Sequence, residues 1–163
     1  MAQCARCYHS FRSGAIEIRV IDTQECPEQD LAIAFFTTQL VAAIYNQEFL
    51  PRAQGRAITT EVLAKQFHTA VHSAQDAPLH PDFAQVFGCT GSKLSDLYAQ
   101  LIDRLVPQNS PFFAALKLIA EEGTLAQRLT RFSGETPHRE VLLELYRTLC
   151  GCLSSGSPFV PRS

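Results

Sequence analysis

A glutamate and an arginine lie two positions apart in an apolar segment near the N-terminus. Residues 15–22 alternate in the manner of a β-strand, whose side chains point to opposite faces in turn. Glu17 and Arg19 therefore share one face, with their Cα atoms roughly 7 Å apart. A carboxylate suits a hard cation such as magnesium, and a guanidinium suits phosphate oxygens. The pair is typical of a phosphate-handling site, but an exposed strand face with an incidental ion pair gives the same pattern.

The preceding residues predict a partner strand. Ser13-Gly14 is a two-residue turn signal between two strand-like runs. A hairpin folded there pairs Ser10 with Glu17 and Tyr8 with Arg19. Further polar groups then lie on the face of the charged pair: Tyr8, Ser10 and Arg12. The opposite face is mostly apolar, with Cys7, His9, Phe11, Ile16, Ile18 and Val20.

The rest of the chain is predicted to be helical. Pro27 fits a first helical turn, and a mainly apolar stripe at helical spacing follows, expected to face the core: Leu31, Ala34, Phe35, Thr38, Val41, Ala42 and Tyr45. Later helices are expected to begin at Thr59 or Thr60, Ser92, Ser110-Pro111, Thr124 and Thr136-Pro137. The predicted fold is α+β and mainly helical, an N-terminal antiparallel hairpin packed with five or six helices. Residues 1–153 form one domain and residues 154–163 a flexible tail.

Composition excludes several classes of protein. The formal net charge is −2 and charged residues are 18% of the chain, which does not favour nucleic acid or an anionic membrane surface as a partner. The longest apolar run, residues 31–45, is too short to span a bilayer. The N-terminus shows no secretory leader, so a cytoplasmic location is expected.

The cysteines and histidines suggest two possible metal sites. Cys4 and Cys7 have zinc-type spacing, and Cys150 with Cys152 could supply two more thiolates, although that spacing is one residue too tight. Structural or incidental thiols are the alternative, because free cysteines are commonly buried. His68 and His72 lie four apart on a predicted helix, either as a metal-binding pair or as partly exposed side chains.

Several segments resemble the glutamate–cysteine ligase family, in particular its bacterial carboxylate–amine ligase branch. Gly14-Ala-Ile-Glu-Ile-Arg-Val-Ile-Asp22 resembles the family's Gly-Thr-x-Glu-x-Arg-x-x-Asp strand, with Ala15 in place of Thr. Glu122-Gly-Thr-Leu-Ala-Gln-Arg128 is similar to the Gly-Thr-x-Ala-x-Arg turn near the end of these enzymes. Leu149-Cys-Gly-Cys-Leu153 and Pro158-Phe-Val-Pro161 resemble the C-terminal run. Residues 57–88 lack the Asn-x-x-x-Ala-x-x-x-Gly pattern of the family.

The resemblance implies amide bond formation driven by ATP. In such a reaction a substrate carboxylate takes the terminal phosphoryl group to give an acyl phosphate, an amine displaces phosphate, and magnesium neutralises phosphate oxygens. Carried over by position, Glu17 is a magnesium ligand, and Arg19 is the catalytic residue that binds the ATP phosphate. Asp22 supports the strand end or Arg19. The substrates would be small amino acids.

The resemblance also implies a larger assembly. The hairpin would belong to a glutamine-synthetase-like sheet, and the chain would be the C-terminal part of a catalytic domain, inactive without its N-terminal part. The alternative is a non-catalytic helical remnant or assembly subunit that keeps the strand only for packing. In either case the strand edges would be unpaired, which predicts a two-fold homodimer through the hairpin edge.

Overall fold

The described part of the chain is predominantly helical. A computed structural model describes residues 8–10, 15–18, 20–55 and 58–161, and about 66% of the interpretable part is helical. The helices, in chain order, are α1 Pro27–Tyr45, α2 Arg52–Gly55, α3 Thr60–Ser73, α4 Pro81–Phe87, α5 Leu94–Leu105, α6 Phe113–Glu122, α7 Leu125–Ser133 and α8 Arg139–Ser155. A 3-10 turn, Ala74–Asp76, follows α3.

The predicted α+β fold is wrong. The strands in the described residues are two three-residue segments, β1 Tyr8–Ser10 and β2 Ala15–Glu17, which run antiparallel. One isolated antiparallel bridge joins Pro78 and Lys93. Six strand residues cannot form a sheet layer, because a two-stranded ribbon is only marginally stable without further strands. We therefore assign the fold as helical, with no glutamine-synthetase-like sheet in the part of the chain that is described.

The predicted pairing register is also wrong, by two residues. Tyr8 lies opposite Glu17, and Ser10 lies opposite Ala15. The observed register leaves residues 11–14 between the strands, where a two-residue turn at 13–14 was expected. A shift of two keeps each residue on its predicted face, since side chains alternate with a period of two.

The main core lies between α1, α5 and α6, each of which packs against the other two. Ala32, Ile102 and Leu116 are fully buried at this junction. Aromatic rings extend the packing, since Phe36 on α1 meets Tyr98 on α5 edge to face, with ring centroids 5.2 Å apart. Burial raises the pKa of Tyr98 above its usual value.

A second cluster joins α7, α8 and the residues after α8. Leu145, Cys152 and Phe159 are buried in it, and Leu129 and Phe132 of α7 pack against them. Residues 154–163 were expected to form a flexible tail. Instead α8 extends to Ser155, and Phe159 is only 2% exposed. The tail prediction failed because it weighed the Ser, Gly and Pro content of the segment and overlooked its one aromatic side chain.

The stripe of α1 that was expected to face the core is mostly exposed. Of its seven residues, only Phe35 packs against the core, whereas Leu31 is 57% and Val41 37% exposed. The opposite face is buried instead: Gln29, Ala32, Phe36 and Ala43. The prediction failed because α1 is apolar on nearly every side, so its periodicity does not single out one face. Within the described ranges, no helix has both the length and the apolar character needed to cross a membrane.

Candidate functional site

The structure places two of the three predicted site residues at the surface. Glu17 ends β2 and is exposed. Asp22 is also exposed, and its main-chain oxygen accepts a hydrogen bond from the side chain of Gln24 at 2.8 Å. Arg19 lies outside the described residues, so its pairing with Glu17 stays a prediction.

The described residues do not form a magnesium site by themselves. Glu17 offers one carboxylate, and no group of three His, Cys, Asp or Glu side chains able to hold a metal occurs among the residues that the structure describes. A bound magnesium needs an octahedral set of oxygens, much of it from water or substrate phosphates. If this chain binds magnesium through Glu17, the other ligands must come from elsewhere.

The cysteine and histidine pairs that suggested metal sites also lack a complete set of ligands among the described residues. Cys4 and Cys7 lie outside the described residues. Cys150 is exposed while Cys152 is buried, so the two thiols lie on different sides of α8 and cannot close on one ion. His68 and His72 are both exposed on α3, without a third ligand in the described part of the chain.

The most unusual side chain in the described structure is Arg128, which is fully buried. Its Nη1 and Nη2 nitrogens donate to Oε1 and Oε2 of Glu25, at 2.5 and 3.4 Å. Its Nη1 also donates to the main-chain oxygen of Phe159, and its Nε donates to the main-chain oxygen of Gly123 at 3.1 Å. The main-chain N–H of Phe159 completes the cluster by donating to Glu25 Oε1 at 3.0 Å. We call Glu25, Gly123, Arg128 and Phe159 the Arg128 clamp.

The local sequence explains how Arg128 reaches these partners. Gly123 follows the last residue of α6 and has φ = 91°, a backbone conformation that residues other than glycine rarely adopt. Thr124 then caps α7, because its hydroxyl accepts from the N–H of Gln127 while the Gln127 side chain accepts from the N–H of Thr124. Long side chains on a helix point back toward its N-terminus. Arg128, in the first turn of α7, is thereby directed at the oxygen of Gly123.

The clamp is a structural connection and has little capacity for a ligand. A guanidinium has five N–H donors, and the contacts to Glu25, Gly123 and Phe159 account for four of them. Glu25 in turn accepts from both Arg128 and Phe159. A buried ion pair needs such complete hydrogen bonding, because desolvation of two charges is costly. Arg128 is therefore unsuited to hold a substrate phosphate.

Two buried thiols lie beside the clamp. Cys26 follows Glu25 directly and is fully buried, and Cys152 is 9% exposed. Burial raises the pKa of Cys152, and the negative charge of Glu25 raises that pKa further. A thiol that stays protonated is a poor nucleophile. Cys152 is therefore a packing residue and not a candidate for covalent chemistry.

A shallow groove between α3 and the following loop is a concave feature of the described structure. It encloses about 190 Å³ and is lined by Lys65, Gln66, Thr69, Pro78, Leu79, His80 and Pro81. Gln66 crosses its floor, donating to the oxygen of Pro78 at 3.2 Å and accepting from the N–H of His80 at 2.7 Å. Ligand pockets usually enclose about 300 Å³ or more. The groove is small and its buried polar group is satisfied internally, so it carries no proposal of a ligand.

Sequence reasoning missed the clamp as a contact. Glu25 and Arg128 are 103 positions apart, and no local spacing indicates such a pair. The available signal was the capping pattern at Thr124 and Gln127, which predicts where Arg128 lies on α7 but not what it contacts. Comparisons with protein-family models, with curated proteins and with solved structures found no match to this chain.

Proposed function

We propose that this chain is the C-terminal part of an ATP-dependent carboxylate–amine ligase of the glutamate–cysteine ligase type. The observation that carries the proposal is that two of the resembling segments, the turn segment and the C-terminal segment, meet in the Arg128 clamp. Glu25 lies three residues after the strand segment, Gly123 and Arg128 belong to the turn segment, and Phe159 belongs to the C-terminal segment.

Three matched residues of the turn segment each have a structural role in forming the clamp. Gly123 supplies the positive φ, Thr124 supplies the helix cap, and Arg128 supplies the buried donor. Short matches far apart in a sequence carry little weight singly, because each has a high rate of chance occurrence. The turn segment and the C-terminal segment meet in one hydrogen-bonded cluster and form a single structural unit, which favours a common origin of these two matches.

The clamp also anchors the segment that carries the predicted site residues. Glu25 is buried, and the main-chain N–H of Gln24 donates to Asp30 on α1 at 2.9 Å. The segment that contains Glu17 is therefore attached to the helices at Gln24 and Glu25, whose positions are fixed by these contacts. In this proposal the helices serve as the support, and Glu17 and Arg19 are presented to a site that another part of the enzyme completes.

The proposal predicts that the chain alone is inactive. Glu17 is one carboxylate, and the other magnesium ligands and the amine pocket belong to the N-terminal part of such an enzyme. The purified 163-residue chain should show no release of ADP from ATP above background, with magnesium, glutamate and cysteine present. Glutamate-dependent ADP release by the isolated chain would show that it holds a complete site.

The proposal is tested on the protein purified, through an affinity tag, from the organism that encodes it. We expect magnesium- and glutamate-dependent ADP release from that preparation. Glu17→Gln and Arg19→Ala should abolish it, and Arg19→Lys should impair it severely because an ammonium cannot reproduce the bidentate fork. The matched controls are Glu135→Gln and Arg147→Ala, two exposed residues far from the segment in sequence, which should leave the rate unchanged.

The outcomes separate the ligase from the non-catalytic alternative. A native preparation without ADP release would favour the helical assembly subunit. Loss of helical content in both Glu17→Gln and Arg19→Ala would show that the pair is structural. Unchanged rates in both variants would show that the site has been assigned to the wrong residues.

A further inference from the structure

α3 adds no side chain to the hydrophobic core of the described structure. Each other described helix longer than one turn contributes to one of the two hydrophobic clusters, whereas no residue of α3 belongs to either cluster or packs against it. Its one buried side chain is polar, that of Gln66, while Leu63 and Val71 are 47% and 63% exposed. An element with so few buried apolar contacts opens more easily than the core does.

The side chain of Gln66 connects α3 to the rest of the described chain. Its Nε2 donates to the main-chain oxygen of Pro78 at 3.2 Å, and its Oε1 accepts from the main-chain N–H of His80 at 2.7 Å. The hydroxyl of Thr69, by contrast, bonds within the helix. None of the salt bridges between described residues involves a residue of α3. The docked position of α3 therefore depends largely on one amide.

The residue that links α3 to the 3-10 turn has a strained backbone. Ala74 has φ = 46° and ψ = −128°, which is close to the first central position of a type II′ turn, where glycine is favoured. Residues with a Cβ are seldom found at positive φ. Strain of this kind persists where the surrounding structure holds it, and it concentrates in segments that switch between two states.

The residues that follow Ala74 are anchored to the rest of the chain. Asp76 accepts from Nζ of Lys93 at 2.9 Å. The main-chain oxygen of Ala77, which is fully buried, accepts from the N–H of Leu94 at 2.9 Å. Ala74 is therefore the boundary between a weakly held helix and a firmly held loop.

We infer that α3 separates from the folded remainder of the protein as a unit, with Gln66 holding it in the docked position and Ala74 as the hinge. In the released state the Gln66 amide leaves the oxygen of Pro78 and the N–H of His80, and the backbone of Ala74 relaxes. The inference does not depend on the proposed ligase activity.

The released state exposes a backbone edge that α3 covers. The N–H of Leu79 donates to the oxygen of Ser92 at 2.7 Å, so one edge of segment 78–80 is paired within the loop. The Gln66 amide occupies the opposite edge, where a neighbouring strand would place a peptide group. An unpaired edge is a template for pairing with another chain. Docked α3 is thus a removable cover of this edge.

Hydrogen exchange of the full chain, followed residue by residue by NMR, tests the inference. A helix of 14 residues is only marginally stable in water once detached, so release makes its amides exchange. In the wild type, the amides in the middle of α3 should exchange together, at least about 100-fold faster than the slowest amides of α5 and α6.

Two variants should shift the exchange of α3 in opposite directions. Gln66→Ala should speed it by roughly 10- to 100-fold, because the two hydrogen bonds of the docked state are lost. Ala74→Gly should slow it several-fold, because the strain that it relieves in the docked state exceeds the freedom that glycine adds to the released state.

Two control variants separate the release of α3 from unfolding of the whole protein. Ile102→Val weakens the main core, where Ile102 is fully buried. It should speed exchange in α5 and α6 several-fold and leave α3 unchanged, because the core is intact when α3 is released. His68→Ala changes an exposed residue of α3 and should alter the exchange of α3 by no more than about threefold.

Amides of α3 that exchange as slowly as those of α5, or that accelerate with them in Ile102→Val, would overturn the inference, because α3 would then open only with the whole fold. Unchanged exchange of α3 in Gln66→Ala would show that the amide does not hold the helix. A Gln66→Ala chain that also unfolds α5 and α6 would contradict the inference equally, since the remainder is expected to stay folded without the contact. Faster exchange in Ala74→Gly would exclude a strained hinge at Ala74.

Discussion

Arg128 binds both carboxylate oxygens of Glu25, 103 positions earlier in the chain, and neither side chain is exposed to solvent. The pair joins the start of α7 to the residue two positions before α1. Through Phe159 the same pair holds the segment after α8. Three distant parts of the chain thus depend on one guanidinium, and their stability should be coupled.

Removal of either partner should be strongly destabilising. Arg128→Met or Glu25→Leu alone leaves a buried charge without its counter-ion, and we expect each to lower the free energy of unfolding by about 3–5 kcal/mol. The double variant should cost less than the sum, because it leaves no buried charge. Urea denaturation of the four proteins measures this cycle.

The control for this cycle is Arg131→Ala. Arg131 pairs with Glu122 at 3.0 Å, but the two side chains are 52% and 39% exposed, so the loss should be no more than about 1 kcal/mol. Equal losses for Arg128→Met and Arg131→Ala would contradict the account of the clamp.

Phe159 should contribute much of the stability of the C-terminal segment. Its ring is 2% exposed and lies 5.8 Å from that of Phe132, centroid to centroid. Phe159→Ala should lower the free energy of unfolding by about 3–5 kcal/mol, the usual cost of truncating a buried aromatic. The neighbouring residue Val160 is 46% exposed. Val160→Ala should therefore change the free energy of unfolding by about 0.5 kcal/mol or less. Thermal unfolding of both variants provides the comparison, and equal melting temperatures would show that the segment is not anchored by its aromatic ring.

Cys152 should make the protein less stable at alkaline pH. Burial and the charge of Glu25 raise the pKa of this thiol above its ordinary value of 9.0. Below that value the thiol is protonated in both states. As the pH rises through it, the unfolded chain loses the proton while the folded chain retains it, so the free energy of unfolding falls. We expect a steeper fall between about pH 8 and 10 in the wild type than in Cys152→Ala.

The comparison of Cys152→Ala with the wild type isolates the thiol, because the other titrating groups are common to both proteins. Cys150 is exposed, so Cys150→Ala should keep the slope of the wild type. A slope that is the same with and without Cys152 would show that the folded state accepts the thiolate.

Local signals in the sequence predicted the starts of several helices, although the described residues contain eight α-helices where five or six were expected. α1 begins at Pro27, Thr59 caps α3 and Thr124 caps α7, all at positions that the sequence indicates. Boundaries shifted by a few residues elsewhere, as at α5, which begins at Leu94 where Ser92 was the expected cap. Caps are local hydrogen bonds between residues two or three apart, so their residue types suffice to predict them.

Long-range features were not predictable in this way. The contact between Glu25 and Arg128 leaves no periodic trace, because each residue has its own local surroundings. The alternation over residues 15–22 predicted a longer strand, but strands need partners, and among the described residues the pairing ends at Glu17. The buried face of α1 could not be predicted, because apolar residues occur on nearly every side of this helix. The site residues Glu17, Arg19 and Asp22 rest on the resemblance and remain predictions.

The most direct test of the ligase proposal follows an oxygen atom. In a reaction through an acyl phosphate, one carboxylate oxygen of the substrate leaves with the phosphate when the amine attacks. The tagged native preparation is incubated with ATP, magnesium, cysteine and glutamate labelled with ¹⁸O in its carboxylates, and the phosphate is analysed by mass spectrometry. The account predicts one ¹⁸O atom per phosphate released, formed together with one amide. Phosphate that is released in step with the amide but carries no label would contradict it.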